Sequence, residues 1–280
     1  MKNILLPTDF SENSWNAISY ALELYKDYKC NFTLLHTYTP IIYKYEYMQD
    51  STTEFQVYDS IKETSNSKLD ALLHRIQTKF KNPNHFFTQI VSFNALIPEI
   101  NQLLEGHVME LIIMGTKGAS GLKEILFGSN TVHVLKNAKC PVLAIPSDYS
   151  FEKPNEILFP SDYNIDFQEK HMQPILDIAK SNHSKVNILN VGIDSNLSQN
   201  QKQNCKKLKI YFNEIDHEFQ NVSDQSVPEA IAKFQLKYNI NLLVMINNKH
   251  TVFENLLFKS NIKQIGFHLN VPFLVIPSFN

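Results

Sequence analysis

Asn3-Ile4-Leu5-Leu6-Pro7-Thr8-Asp9-Phe10 returns as Glu156-Ile157-Leu158-Phe159-Pro160-Ser161-Asp162-Tyr163, each an apolar β-type run stopped by proline, a hydroxyl residue and aspartate in the same order. The offset is 153 residues. Pro141-Val142-Leu143-Ala144-Ile145-Pro146-Ser147 likewise returns as Pro272-Phe273-Leu274-Val275-Ile276-Pro277-Ser278, now at an offset of 131. A 280-residue chain that repeats itself at this distance carries two copies of one unit. The polar stretch Ser147 to Asn155, containing Pro154, reads as the linker between domains at residues 1–147 and 155–280.

The second copy is about 22 residues shorter, and the loss can be placed. Leu34-Leu35-His36 still matches Ile188-Leu189-Asn190 at 154, whereas Val91-Ser92 matches Val222-Ser223 at 131. In the first copy that interval includes Tyr38 to Ser60, rich in tyrosine (Tyr38, Tyr43, Tyr45, Tyr47, Tyr58). Two readings stand: a connection that overlies a site, or a surface excursion packed on its own helix.

Short β-rich runs alternate with segments of helical spacing, such as Ile18, Ala21, Leu22 and Tyr25. Strands are expected near 3–8, 31–37, 85–91, 110–114 and 141–145, with helices near 13–27, 55–79, 95–106 and 124–137. The second copy repeats the strands near 156–160, 185–190, 215–221, 241–246 and 272–276. The fold class is therefore α/β: two tandem open-sheet domains, each a five-stranded parallel sheet flanked by helices.

Composition narrows the function. With 43% hydrophobic and 19% charged residues and a net charge of −2, the chain reads as globular and lacks the basic stripe that nucleic-acid binding needs. The apolar run ending at Pro7 is too short for a secretory core or a membrane span, so a cytoplasmic protein with no membrane association is expected. Cys30, Cys140 and Cys205 are odd in number, widely spaced and without metal-ligand spacing, which favours buried reduced thiols.

Four of only seven glycines fall within fourteen positions: Gly115, Gly118, Gly121 and Gly128. They begin where the fourth strand, Leu111 to Met114, ends, and open α/β sheets bind ligands at the carboxyl ends of their strands. Glycine lets backbone N–H groups approach an anion without a Cβ in the way, and a following helix adds its own donors. Phosphate is the natural guest, and Ser129 and Asn130 add side-chain donors. The spacing is neither a P-loop nor a dinucleotide fingerprint. Gly121 serves turn geometry as readily as binding, Lys117 and Lys123 read as solvated or phosphate-facing, and Phe127 reads as core.

The pattern Gly115-x2-Gly118-x9-Gly128-Ser129 resembles the ATP-binding signature of the universal stress protein family. Pro7-Thr8-Asp9, Leu34-Leu35-His36-Thr37 and Cys140-Pro141-Val142-Leu143 extend the resemblance over the first copy. Pro160-Ser161-Asp162 and the closing strand extend it to the second, so the whole chain resembles a tandem member with a Rossmann-like, adenine nucleotide alpha hydrolase-like fold. The resemblance implies that Asp9 and Thr37 border adenosine, with Pro7 and Thr8 in the same wall. Met114 starts the loop, and Gly115, Gly118, Gly128, Ser129 and Asn130 hold ribose and phosphates. The family usually carries valine where Thr37 stands. The implied cofactor is ATP, with or without Mg2+. The family's dimers form through final strands, which implies intramolecular pairing of Pro141–Ile145 with Pro272–Ile276 and leaves a further homodimer open. Taken alone, Asp9 reads equally well as a helix-start cap.

Aligning Met245 with Met114 puts Ile246, Lys249 and Lys259 at the three glycine positions, while Ser260, Asn261 and Asp162 survive. Each replacement adds a side chain where backbone should meet phosphate, so the second loop is degenerate; a different anionic ligand on the two lysines is the other reading. Three functions follow: a stress-response regulator or nucleotide-dependent interaction module, a slow ATP hydrolase, or a nucleotide-independent scaffold. No Walker acid, arginine finger or poised histidine can be named, and His36 and His107 are as easily structural. No catalytic residue or metal ligand is assigned, and at most weak ATPase activity is expected.

Overall fold

A computed structural model describes residues 1–39, 51–106, 109–117, 127–192, 197–223, 225–247 and 270–278, with the side chains of 51–58 left aside. By internal contacts the chain divides into two units, Met1–Cys140 and Pro141–Asn280.

The first unit runs β1 (Lys2–Pro7), α1 (Glu12–Leu24), β2 (Cys30–Tyr38), α2 (Ser51–Lys79), β3 (His85–Phe93), α3 (Leu96–Gly106), β4 (Leu111–Gly115) and α4 (Ser129–Asn137). Its strands lie in the order β3-β2-β1-β4 and pair in parallel, with Leu6 opposite Leu34, Leu34 opposite Gln89, and Ile4 opposite Leu111. The unbroken apolar runs of β1 and β4 follow from burial on both faces, while β3 is mostly intermediate or exposed. Helix α1 starts where Ser11 accepts a hydrogen bond from the Ser14 N–H, and it buries Ile18, Ala21 and Leu22 at the spacing its sequence shows. The long interval after β2 returns to helix at Ser51; the tyrosines at 43, 45 and 47 lie outside the described residues.

The second unit runs β5 (Val142–Ile145), β6 (Glu156–Pro160), α5 (Glu169–Asn182), β7 (Lys185–Val191), α6 (Gln199–Tyr211), β8 (His217–Val222), α7 (Val227–Tyr238), β9 (Leu242–Asn247) and β10 (Phe273–Pro277). Its order is β5-β10-β9-β6-β7-β8, parallel except at β5. The closing strand of the first repeat, β5, thus groups with the second unit. It runs antiparallel to β10, with Val142, Leu143 and Ala144 opposite Val275, Leu274 and Phe273. The two final strands are therefore hydrogen-bonded to each other, and β10 is covered on the side that would otherwise be an open edge.

Cys30 and Cys140 are buried free thiols, and burial pushes them up to about 11 and about 12. Cys205 departs from the expectation of burial: it is a free thiol but only half-buried, on a helix whose buried residues include Asn204 and Leu208.

Candidate functional site

A cavity of about 260 Å³ opens in the first unit at the carboxyl ends of β1, β2 and β4, against the start of α4. Pro7, Thr8 and Asp9 reach it from β1, Thr37 from β2, and Met114 and Gly115 from β4. Gly128, Ser129 and Asn130 close it from the helix side. The structure thus brings these nine sequence-selected residues to one cavity; Gly118, like Gly121 and Lys123, lies outside the described residues. Lys117 lines it too, and Phe127 is buried. Ser14, Leu96 and Thr131 are lining residues that the sequence reading missed. Leu96 opens the helix after β3 and could have been found by the carboxyl-end rule that drew attention to the glycine loop after β4.

The β1 exit is a tightly bonded turn. Phe10 sits at φ 65°, in the left-handed region, and its N–H donates to Thr8 Oγ1 at 3.0 Å. Thr8 Oγ1 is also 3.0 Å from Ser14 Oγ, which donates to the Ser11 carbonyl at 2.8 Å. Asp9 Oδ1 accepts from the Ser11 N–H at 3.0 Å and from Ser11 Oγ at 2.6 Å. Asp9 therefore holds its own turn ahead of the Ser11 cap and also lines the cavity. His36 holds the Thr8 carbonyl through Nδ1 at 2.8 Å and packs against the Phe10 ring at 4.4 Å, which makes it a structural histidine.

At the other wall β4 ends on Gly115, where a Cβ would lie 3.0 Å from the Asn13 carbonyl oxygen and 3.3 Å from its carbon. Backbone cannot swing aside as a side-chain tip can, so any larger residue here makes α1 give by a few tenths of an ångström. The chain returns at Gly128, whose N–H donates to the Thr116 carbonyl at 2.7 Å, and Thr131 Oγ1 donates to the Gly115 carbonyl at 2.9 Å. Gly128 is the cap residue of α4 and offers no side-chain cap, and the first i to i−4 bond runs from Val132 to Gly128. The N–H groups of Ser129, Asn130 and Thr131 thus have no acceptor within the helix and stand at its positive end. Together with Lys117 they form a face that could receive an anion, and Pro7, Leu96 and Met114 supply apolar wall. Asp9 is the single carboxylate on the described lining, and no group of three metal-binding side chains occurs among the described residues. No described helix is long and apolar enough to cross a membrane.

The second unit repeats the backbone bonds of the turn, without the Ser11 and Ser14 hydroxyl bonds, since Asn164 and Phe167 stand at those positions. Tyr163 is at φ 57°, its N–H donates to Ser161 Oγ at 3.1 Å, and Asp162 Oδ1 accepts from the Asn164 N–H at 3.0 Å. The Thr8 and Ser161 N–H groups donate to Leu35 and Leu189 carbonyls, both at 2.8 Å. Asn190 Nδ2 takes the place of His36, donating to the Ser161 carbonyl at 2.8 Å. Beyond the turn the likeness stops, because only about 20 Å³ of space remains there. Helix α5 begins at Glu169, four residues later than the repeat requires, and in the stretch before it Phe167 occupies the position equivalent to Ser14. Phe167 is buried edge-to-face against Phe159 at 6.2 Å, and Ile246 stands for Gly115 in the same small lining. Lys249, Lys259, Ser260 and Asn261 lie outside the described residues.

Comparison with known proteins places these features. Residues 1–146 match the family described as the Universal stress protein family. The chain is 27% identical over 155 residues to Universal stress protein MJ0577 of Methanocaldococcus jannaschii, covering 51% of this chain and 94% of that one. It is 26% identical over 152 residues to Universal stress protein YxiE of Bacillus subtilis, covering 51% and 97%. A universal stress protein from Archaeoglobus fulgidus shares the fold over 98% of both chains, with a TM-score of 0.72 at 20% identity.

Proposed function

This chain belongs to the universal stress protein family, and on that premise we propose that residues 1–147 form a domain that binds ATP, making the protein a cytoplasmic stress-response regulator or nucleotide-dependent interaction module. In this reading Thr37, Asp9, Pro7 and Thr8 border adenosine. Met114, Gly115, Gly118, Gly128, Ser129 and Asn130 receive ribose and phosphates. The observation that carries it is the cavity of about 260 Å³ with N–H donors at one end and apolar wall at the other. Residues 155–280 form the second domain, whose counterpart space of about 20 Å³ is too small for a nucleotide. Asp9 offers one carboxylate, with Oδ1 already held in its own turn, and no group of three metal-binding side chains occurs among the described residues, so any magnesium ion would travel with the phosphates rather than sit in an all-protein cage. Besides the nucleotide, the reading has the two final strands pairing within one chain and leaves a homodimer open; nucleic acid is not proposed, given 26 basic against 28 acidic residues.

No described lining residue is placed as a general base, so binding rather than hydrolysis is the favoured activity. Identifying what freshly purified protein releases on denaturation tests the reading: adenine nucleotide is expected. Protein that neither carries nor takes up adenine nucleotide would leave the scaffold reading in its place.

A further inference from the structure

We infer that Thr131 is a positioning residue of the phosphate end, a latch that fixes α4 onto the end of β4 so that its N-terminal N–H groups are aimed before ligand arrives. The inference rests on the ATP-binding reading and adds how this chain pre-forms the site. Thr131 is the third residue of α4 and only 2% exposed. Its hydroxyl does not turn back onto its own helix; it crosses to the Gly115 carbonyl at 2.9 Å, the last residue of β4. A second bond, from the Gly128 N–H to the Thr116 carbonyl at 2.7 Å, joins the cap residue of α4 to the residue after Gly115. These two bonds tie the strand that enters the loop to the helix that leaves it.

Their importance follows from what α4 lacks. Its cap residue is glycine, with no side chain to bond the first turn and hold its direction. The orientation of the Ser129, Asn130 and Thr131 N–H groups is therefore set largely by the latch. Removing the hydroxyl leaves a buried carbonyl without that donor and frees the first turn to tilt, which misaims donors that must meet an anion. The second repeat is consistent: Ile262 stands at the Thr131 position, beside Ile246 for Gly115 and Lys259 for Gly128, so the latch, its acceptor glycine and the cap glycine are replaced together.

The test is calorimetric titration of the full chain with ATP and with adenosine, for wild type and for Thr131→Val, Thr131→Ala and Thr131→Ser. Valine and alanine should weaken ATP about tenfold, the scale of one well-placed hydrogen bond to a charged ligand. Adenosine, which does not reach the helix end, should stay within about twofold, and serine should restore ATP binding. A merely structural threonine would instead lower the unfolding midpoint and weaken both ligands by one common factor. That result, unchanged ATP binding in the valine variant, or failure of serine to rescue would each overturn the latch. Should valine not fit the site, alanine carries the same expectation without added bulk. Wild-type protein that binds no ATP would overturn the functional reading itself, and it is recognised before any variant is made.

Discussion

The β1 turn and the β4 exit of the first unit have had opposite histories in the second. At the turn, a left-handed aromatic residue, a hydroxyl accepting from its N–H and an aspartate accepting one residue further on recur at distances within 0.1 Å. At the β4 exit the glycine becomes Ile246, and across from it Ser14 becomes Phe167. The turn is kept where the cavity is lost, so it cannot owe its form to a ligand alone. It joins strand to helix in any copy of this fold. The cavity depends on a few small residues that nothing but an occupant requires to be small. Gly115 is the exception, being held small by the Asn13 backbone as well.

Swapping residues between the units breaks or sharpens this comparison. The largest effect is expected from Gly115→Ile, which gives the first unit the residue of the second. Its Cβ meets the Asn13 carbonyl and pushes β4 and α1 apart at the cavity wall, so ATP binding should fall below detection in calorimetry, with overpacking costing about 1–3 kcal/mol in denaturant unfolding. The reverse change, Phe167→Ser, removes a buried ring edge-on to Phe159 and should destabilise the second unit by about 3–5 kcal/mol without creating a second nucleotide site.

Acid should weaken both units alike, because each buries a histidine. His85 and His171 are held below the ordinary histidine range, chiefly by burial. A histidine with a depressed folded value stabilises the native state above its unfolded value near 6.5 and loses that contribution as pH falls below it. Unfolding free energy measured between pH 7.5 and 5 should therefore drop, and His85→Gln and His171→Gln should each flatten the slope; slopes unchanged by both would remove these residues from the acid response. His36→Ala should cost about 1 kcal/mol by orphaning the Thr8 carbonyl, while His36→Asn, copying Asn190, should cost less than about 0.5 kcal/mol. Equal losses for the two would mean that the ring contact with Phe10 outweighs the hydrogen bond. At the small end, Lys259→Ala should leave ATP affinity unchanged, and a marked loss would move the working site to the second unit.

The strands and the turn were legible because short apolar β-type runs and the Pro-hydroxyl-Asp stop are local signals, doubled by the repeat. The glycine loop was legible through the carboxyl-end rule, and Thr37 and Asp9 through the family resemblance; Thr37, Asp9 and Gly115 line one cavity because their strands end side by side. What stayed hidden is tertiary. That Gly115 faces the Asn13 backbone depends on how α1 packs, and no spacing announces it. The exchange of Ser14 for Phe167 is plain in the alignment, but its meaning needs the later start of α5, set by a cap at Gln168, a residue type that does not announce a helix start as Ser11 does. Thr131 reads as one more helix residue until its hydroxyl is seen on a strand carbonyl. The half-buried Cys205 shows the limit of composition, since a lone thiol can lie on either side of an amphipathic helix.

The stoichiometry of ATP binding to the intact chain addresses the central claim most directly. Calorimetric titration of nucleotide-free protein should give one site per chain, lost in Gly115→Ile and kept in Lys259→Ala. Two sites per chain, or a single site that survives Gly115→Ile, would contradict a division in which the first unit binds and the second does not.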